Sequence, residues 1–162
     1  MKLYKNDDYK FTINIPEDWI IGDSRTRPED FKTLQQGLPY TPICAFDTTN
    51  STVVIVVGIN ETGTNKIDVE GYLSSLQKKL AGSADVIKAP TLKLRSDNVK
   101  TIKLLINSLG NNKEERIIDT NLFFKEGNVF NIIITASPKD YDLYKSLLEK
   151  IVLSFKFIDS SK

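Results

Sequence analysis

The chain has 162 residues, 40% of them hydrophobic, and its 22 lysines and arginines nearly cancel its 21 aspartates and glutamates, leaving a net charge of +1. That length and apolar content suit one domain over residues 1–162 with a sizeable core, and the balanced charge offers no global field for nucleic acid or an anionic membrane. There is no histidine and one cysteine, Cys44, which excludes histidine-based triads, the usual zinc sites and an intramolecular disulfide.

The first ten residues, MKLYKNDDYK, contain no apolar leader. The longest apolar run, residues 53–57, is far short of the about 20 residues a membrane span needs, so as written the sequence reads as cytoplasmic, without membrane insertion. Residues 9–15 alternate Tyr9, Phe11, Ile13 and Ile15 with Lys10, Thr12 and Asn14, the period of a half-buried strand. Pro16 ends that strand, and Glu17-Asp18 turn the chain so that Trp19 returns to the core as an anchor.

Residues 22–41 are polar and broken by Pro28, Gly37 and Pro39. This long loop carries Arg25, Arg27 and Tyr40, residue types suited to recognising a partner. Residues 43–48 and 52–59 then read as an antiparallel hairpin, the second strand apolar on both faces and therefore central. Cys44 lies in an apolar run and reads as a structural thiol.

Val69, Tyr72, Leu73, Leu76 and Leu80 fall at helical spacing, with Asp68 as N-cap and Gly82 as the stop. A meander follows, with strands at about 86–95, 99–109, 114–125 and 128–136. A three-residue loop at Ser96-Asp97-Asn98 puts Leu92 and Leu94 on the face of Ile102 and Leu104. A three-residue loop around Gly127 pairs Phe124 with Phe130. That register gathers Lys93, Arg95, Lys103, Asn107, Asp119, Asn121, Asn131 and Thr135 into one polar sheet face, with Asp119 beside Lys103 as a surface pair. Ser137-Pro138 then caps a closing helix with Tyr141, Tyr144, Leu148, Ile151 and Phe155 on its inner stripe.

The strand-Pro-x-x-Trp opening and the closing Ser154-Phe155-Lys156-Phe157 resemble the PsbP-like and Mog-like superfamily. The resemblance covers most of the chain in order. It implies an α+β fold, an antiparallel sheet of about six or seven strands between helices, and a non-catalytic binding or assembly factor of a bacterium. It also implies export as a lipoprotein as the alternative to a cytoplasmic location. The rival fold is a START-like helix grip around a ligand cavity, whose function would be to carry a small apolar ligand. A hydrolase acting through Asp119 or Cys44 lacks a visible partner base. The expectation is therefore no enzyme, no cofactor, no metal and a protein partner, met by Arg25, Arg27, Tyr40, Lys103, Asp119, Asn121 and Asn131.

Overall fold

The computed structural model describes residues 1–22, 40–46, 52–110 and 112–159. The strands are β1 (Lys2–Asn6), β2 (Phe11–Ile15), β3 (Ile20–Gly22), β4 (Tyr40–Phe46), β5 (Val54–Glu61), β6 (Val86–Leu94), β7 (Lys100–Leu109), β8 (Glu115–Lys125), β9 (Asn128–Ala136) and β10 (Lys156–Phe157). The helices are α1 (Val69–Leu80), between β5 and β6, and α2 (Pro138–Leu153), between β9 and β10. Seven strands pair antiparallel in the order β3-β4-β5-β9-β8-β7-β6, and β1-β2-β10 form a second sheet of three. This is the expected α+β architecture with one addition. The opening strand lies not in the main sheet but in the small one, paired with a strand at residues 2–6 whose mixed pattern gave no signal.

The strand also starts later than its alternation indicates. Tyr9 is in a turn whose amide donates to Asn6 Oδ1 at 2.9 Å, and Lys10 takes a positive φ of 54° before β2 begins. From there Phe11, Ile13 and Ile15 are fully buried and Trp19 joins the same core, its amide donating to the Pro16 carbonyl at 3.2 Å.

Two apolar clusters sandwich the main sheet. On one face α1 lays Val69, Tyr72, Leu73 and Leu76 against Ile102, Leu122, Phe124 and Val129. On the other, α2 and the small sheet meet β5, β9 and β8 around Phe155, whose ring lies 4.7 Å from Phe123, 5.3 Å from Phe11 and 5.9 Å from Phe130. Leu148, Ile151 and Phe155 are all at most 1% exposed. The layer under α2 is thus packed side chain to side chain, unlike a helix gripping a cavity.

Both helices start where their caps dictate. Asp68 accepts from the Gly71 amide at 2.9 Å, and Ser137 Oγ accepts from the Asp140 amide at 3.2 Å ahead of Pro138. The first turn of α2 is also tied to the segment that leads into β5. The Thr52 amide and hydroxyl donate to Asp140 Oδ2 at 2.8 and 2.7 Å, and the Ser137 amide donates to Thr52 Oγ1 at 2.7 Å.

The β8–β9 hairpin corrects the expected register. Its loop holds two residues, Glu126 and Gly127, with φ of 50° and 77°, so Lys125 pairs with Asn128. A type I′ turn has this backbone, and its twist suits antiparallel strands. Phe123 therefore pairs with Phe130, and Phe124 with Val129. One residue of slip reverses every side chain of β9. Gly127 cannot be replaced cheaply, because a Cβ there would lie 2.1 Å from the Thr64 carbonyl oxygen. The β6–β7 loop does have the expected length, with Arg95 and Val99 closing it and Leu92 opposite Ile102.

Two tests follow from this packing. Trp19→Ala should lower unfolding free energy by about 3–5 kcal/mol in urea titration, the cost of emptying a large buried aromatic site. Hydrogen bonds from Thr52, and then from Ser137, hold the Asp140 carboxyl below its ordinary value. A depressed folded value stabilises the fold above the unfolded pKa, about 3.9, and that contribution is lost as pH falls through the folded value. The stability gap between wild type and Asp140→Asn should therefore close on acidification below that range. A gap independent of pH would contradict the assignment.

Candidate functional site

The register places a charged cluster where an exposed face was expected. Lys103 on β7 pairs with Asn121 on β8, and Asp119 is two residues further along β8, on the face that α2 covers. Asp119 is 3% exposed and Asn121 5%. Tyr141, from the first turns of α2, donates its hydroxyl to Asp119 Oδ2 at 2.7 Å, and Asn121 Nδ2 donates to Oδ1 at 3.0 Å. Lys103 Nζ stands 3.5 Å from Oδ2 with its side chain 40% exposed. Burial, and then the bond to Asp119, push the Tyr141 phenol well above its ordinary range, so it stays a donor.

The magnitudes rank these contacts. A hydrogen bond to a charged group contributes about 1.5–3 kcal/mol, whereas a half-exposed ion pair is worth about 0–1 kcal/mol. Tyr141 and Asn121 hold the carboxylate, and Lys103 pairs with it more weakly from the groove side. Asp119 is thus a buried brace for α2 rather than a surface pair or a base open to substrate.

Beside α2 the same sheet face is open. The helix lies over β8 and β9 and against β2, so β7 and the edge strand β6 extend beyond it and leave a groove of about 730 Å³. One wall is α2, through Glu149, Val152 and Leu153, and the other is β6, through Lys88, Thr91 and Lys93. Thr101, Lys103, Asn121 and Phe123 form the floor. A second depression of about 300 Å³ continues the groove toward the N-terminal end of α2 and shares Lys88, Lys103 and Glu149 with it. Arg95 closes the other end. Its guanidinium is held by both Asp97 carboxylate oxygens, lies 5.3 Å over the Phe123 ring and donates to the Phe155 carbonyl at 2.7 Å.

The groove owes its width to β6. That strand is irregular against β7 at two points, between Val86 and Lys88 and between Lys88 and Thr91, and it contains Pro90. Bulges bend and twist a strand, and a proline removes a ladder donor. The Gln77 side-chain amide of α1 donates to the Pro90 carbonyl at 3.4 Å, a contact across the bulge.

The expected site residues therefore separate. Lys103 and Asn121 come together on the groove floor, and Asp119 is buried below it. Asn131 is on the opposite face, paired with Gly58 and Leu122, where its side-chain amide donates to the Val129 carbonyl at 3.2 Å. It departs from the patch because the two-residue turn reverses β9, and Thr135 goes with it. Tyr40 sits on β4, separated from β7 by β5, β9 and β8. Its side chain, that of Cys44, and all of Arg25 and Arg27 lie outside the described residues. Sequence reasoning missed Lys88, Val152 and Leu153. Leu153 gave a signal, being an apolar residue off the inner stripe of α2.

Tyr141→Phe should cost about 1.5–3 kcal/mol in urea denaturation, because it strips a charged acceptor of a buried donor. Lys103→Met should cost less than about 1 kcal/mol. Equal losses would show that the ion pair, and not the phenol, stabilises the carboxylate.

Among the described residues no group of three or more histidine, cysteine, aspartate or glutamate side chains could hold a metal ion, and no helix is long and apolar enough to cross a membrane. No protein-family model and no curated protein matches the sequence. Solved structures do match. The solution structure of the cyanobacterial PsbP protein CyanoP from Synechocystis sp. PCC 6803 aligns with a TM-score of 0.68 at 17% identity, over 96% of this chain and 91% of that one. LpqN of Mycobacterium tuberculosis aligns at 0.64 and 14% identity, over 98% and 90%. A Pseudomonas aeruginosa protein of unknown function aligns at 0.51 and 11% identity, over 94% and 93%. With the strand order, the two helix positions and the buried Pro-turn-Trp corner, these alignments establish that the chain has the PsbP-like fold.

Proposed function

We propose that this chain is a non-catalytic, single-domain binding module that holds another protein in the groove beside α2. The groove itself carries the reading: a two-walled concavity on a rigid sheet, floored by Thr101, Asn121 and Phe123 and flanked by a leucine that the fold leaves in water. Leu153, on the ridge of α2, is 75% exposed. Large apolar side chains at a concave rim are what an interface core requires. Its chemistry supports binding over turnover. Of the two acids at the groove, Asp119 already accepts from Tyr141 and Asn121 and is sealed from a substrate, and Glu149 is on the exposed wall of α2 with no histidine in the chain to act beside it.

LpqN is described as involved in cell envelope biogenesis, and an assembly role at a bacterial envelope is part of this proposal. Carriage of a small apolar ligand is disfavoured, because the core beneath α2 is filled and the groove interleaves threonine and asparagine with its apolar groups.

The test is site-specific photocrosslinking in a native lysate, with a benzophenone side chain placed in turn at Lys93, Leu153 and Leu109, all exposed. The same protein should crosslink from Lys93 and Leu153 and not from Leu109, at the end of β7. Adducts of lipid mass alone, or no difference between the groove and Leu109, would overturn the reading.

A further inference from the structure

Resting on the reading that the groove holds a protein, we propose that the segment it takes is an acidic stretch of chain bearing leucine-like side chains, with its acids toward the C-terminal end of α2. Charge is concentrated there. The wider part of the groove is lined by four cations, Lys88, Lys93, Arg95 and Lys103, against a single acid, Glu149. Across the Leu153 ridge the next depression adds Lys150 and Lys156 with no acid, beside the exposed Leu3. Toward the N-terminal end of α2 the balance evens out, with Lys88, Lys103 and Lys145 facing Asp142 and Glu149. At that end of the groove cations outnumber acids, in a chain whose net charge is only +1.

Much of that charge is uncommitted. Arg95 is held by Asp97 and Lys103 by Asp119, but Lys88, Lys93, Lys150 and Lys156 have no ion-pair partner among the described residues. Two ordinary causes account for part of this. Lysines in a helix's last turn offset its dipole, which covers Lys150. Lysines on an edge strand deter pairing with another sheet, which bears on Lys88 and Lys93. That edge is already blunted by Pro90 and two irregularities in register. The blunted edge also indicates how the segment sits, seated by its side chains rather than added to β6 as a further strand.

Apolar and hydrogen-bonding groups alternate along the floor and walls, Phe123 and Val152 among Thr91, Thr101 and Asn121. A peptide, with its polar backbone between apolar side chains, matches that alternation, whereas an acyl chain needs a continuous apolar wall and a bilayer surface is not concave. The β6 wall from Lys88 to Arg95 is roughly 20 Å long, enough for a segment of about seven residues.

The test is an NMR titration of isotope-labelled protein with short synthetic peptides: one glutamate-rich with two leucines, one with lysine in place of glutamate, and one with serine in place of leucine. Vesicles of phosphatidylglycerol form a separate arm. The first peptide should shift the amides of Thr91, Lys93, Thr101 and Lys103, and the other two should bind more weakly. Lys93→Glu, a substitution at an exposed site, should weaken binding about tenfold, and so should raised salt. Equal binding of the lysine peptide, or no binding of the glutamate peptide while Lys93 and Leu153 still crosslink to a protein, would overturn the partner's chemistry and leave the module reading standing. Loss of the crosslinks would remove both. Binding to the vesicles in place of the peptide would assign the surface to anionic lipid and overturn the proposal.

Discussion

The seat of α2 is the constraint on which the rest of the molecule depends. Phe155, fully buried directly after the helix, touches rings from the small sheet, from β8 and from β9 at once, so removing it would separate three elements. The helix is also pinned along its length by polar contacts. Thr52 holds its first turn through Asp140, Tyr141 reaches down to Asp119, and Arg95 grasps the Phe155 carbonyl beyond its last turn. Apolar packing supplies most of the free energy, since burial of large side chains is worth about 1.5–3 kcal/mol each. The polar contacts are few and directional, and they decide where along the sheet the helix lies. That placement covers β8 and β9 and leaves β7 and β6 bare, which makes the groove a by-product of helix position.

Much of the fold was legible in the sequence because it rests on local signals. Asp68 and Ser137 cap helices that begin where their side chains accept amide protons, and the apolar alternation of residues 11, 13 and 15 is the burial pattern found. The site was less legible, for a physical reason that a single turn illustrates. Glu126-Gly127 and Glu126-Gly127-Asn128 are both acceptable loop compositions, yet the choice between them decides which face of the sheet Asn131 occupies. Composition does not encode loop length to one residue, and a period of two turns that small ambiguity into a complete exchange of faces.

Burial of the polar face was hidden for a related reason. Asp119 and Asn121 alternate with apolar residues as a solvated face would, and only the docking of Tyr141 shows that Asp119's outward side is the underside of a helix. The hydroxyl of Tyr141 looked like one more aromatic on the inner stripe of α2, and no pattern within the helix distinguishes a phenol that packs from one that donates. The groove was illegible for another reason again. Its walls come from residues 88–95 and 149–153, far apart in sequence and joined only through the sheet and the crossing of α2.

A bound segment beside α2 requires that the helix stay down, since a helix that lifts would open the Phe155 core and the Asp119 cluster and move the binding surface underneath it. Amide hydrogen exchange of the free protein separates these cases directly. With α2 fixed, the amides of Leu148 and Ile151 should exchange only by global unfolding, with the same protection as those of Leu122 on β8 and Ile132 on β9. Exchange of the α2 amides through a local opening, at a free energy well below that of the sheet, would contradict the fixed helix and place the functional surface beneath it.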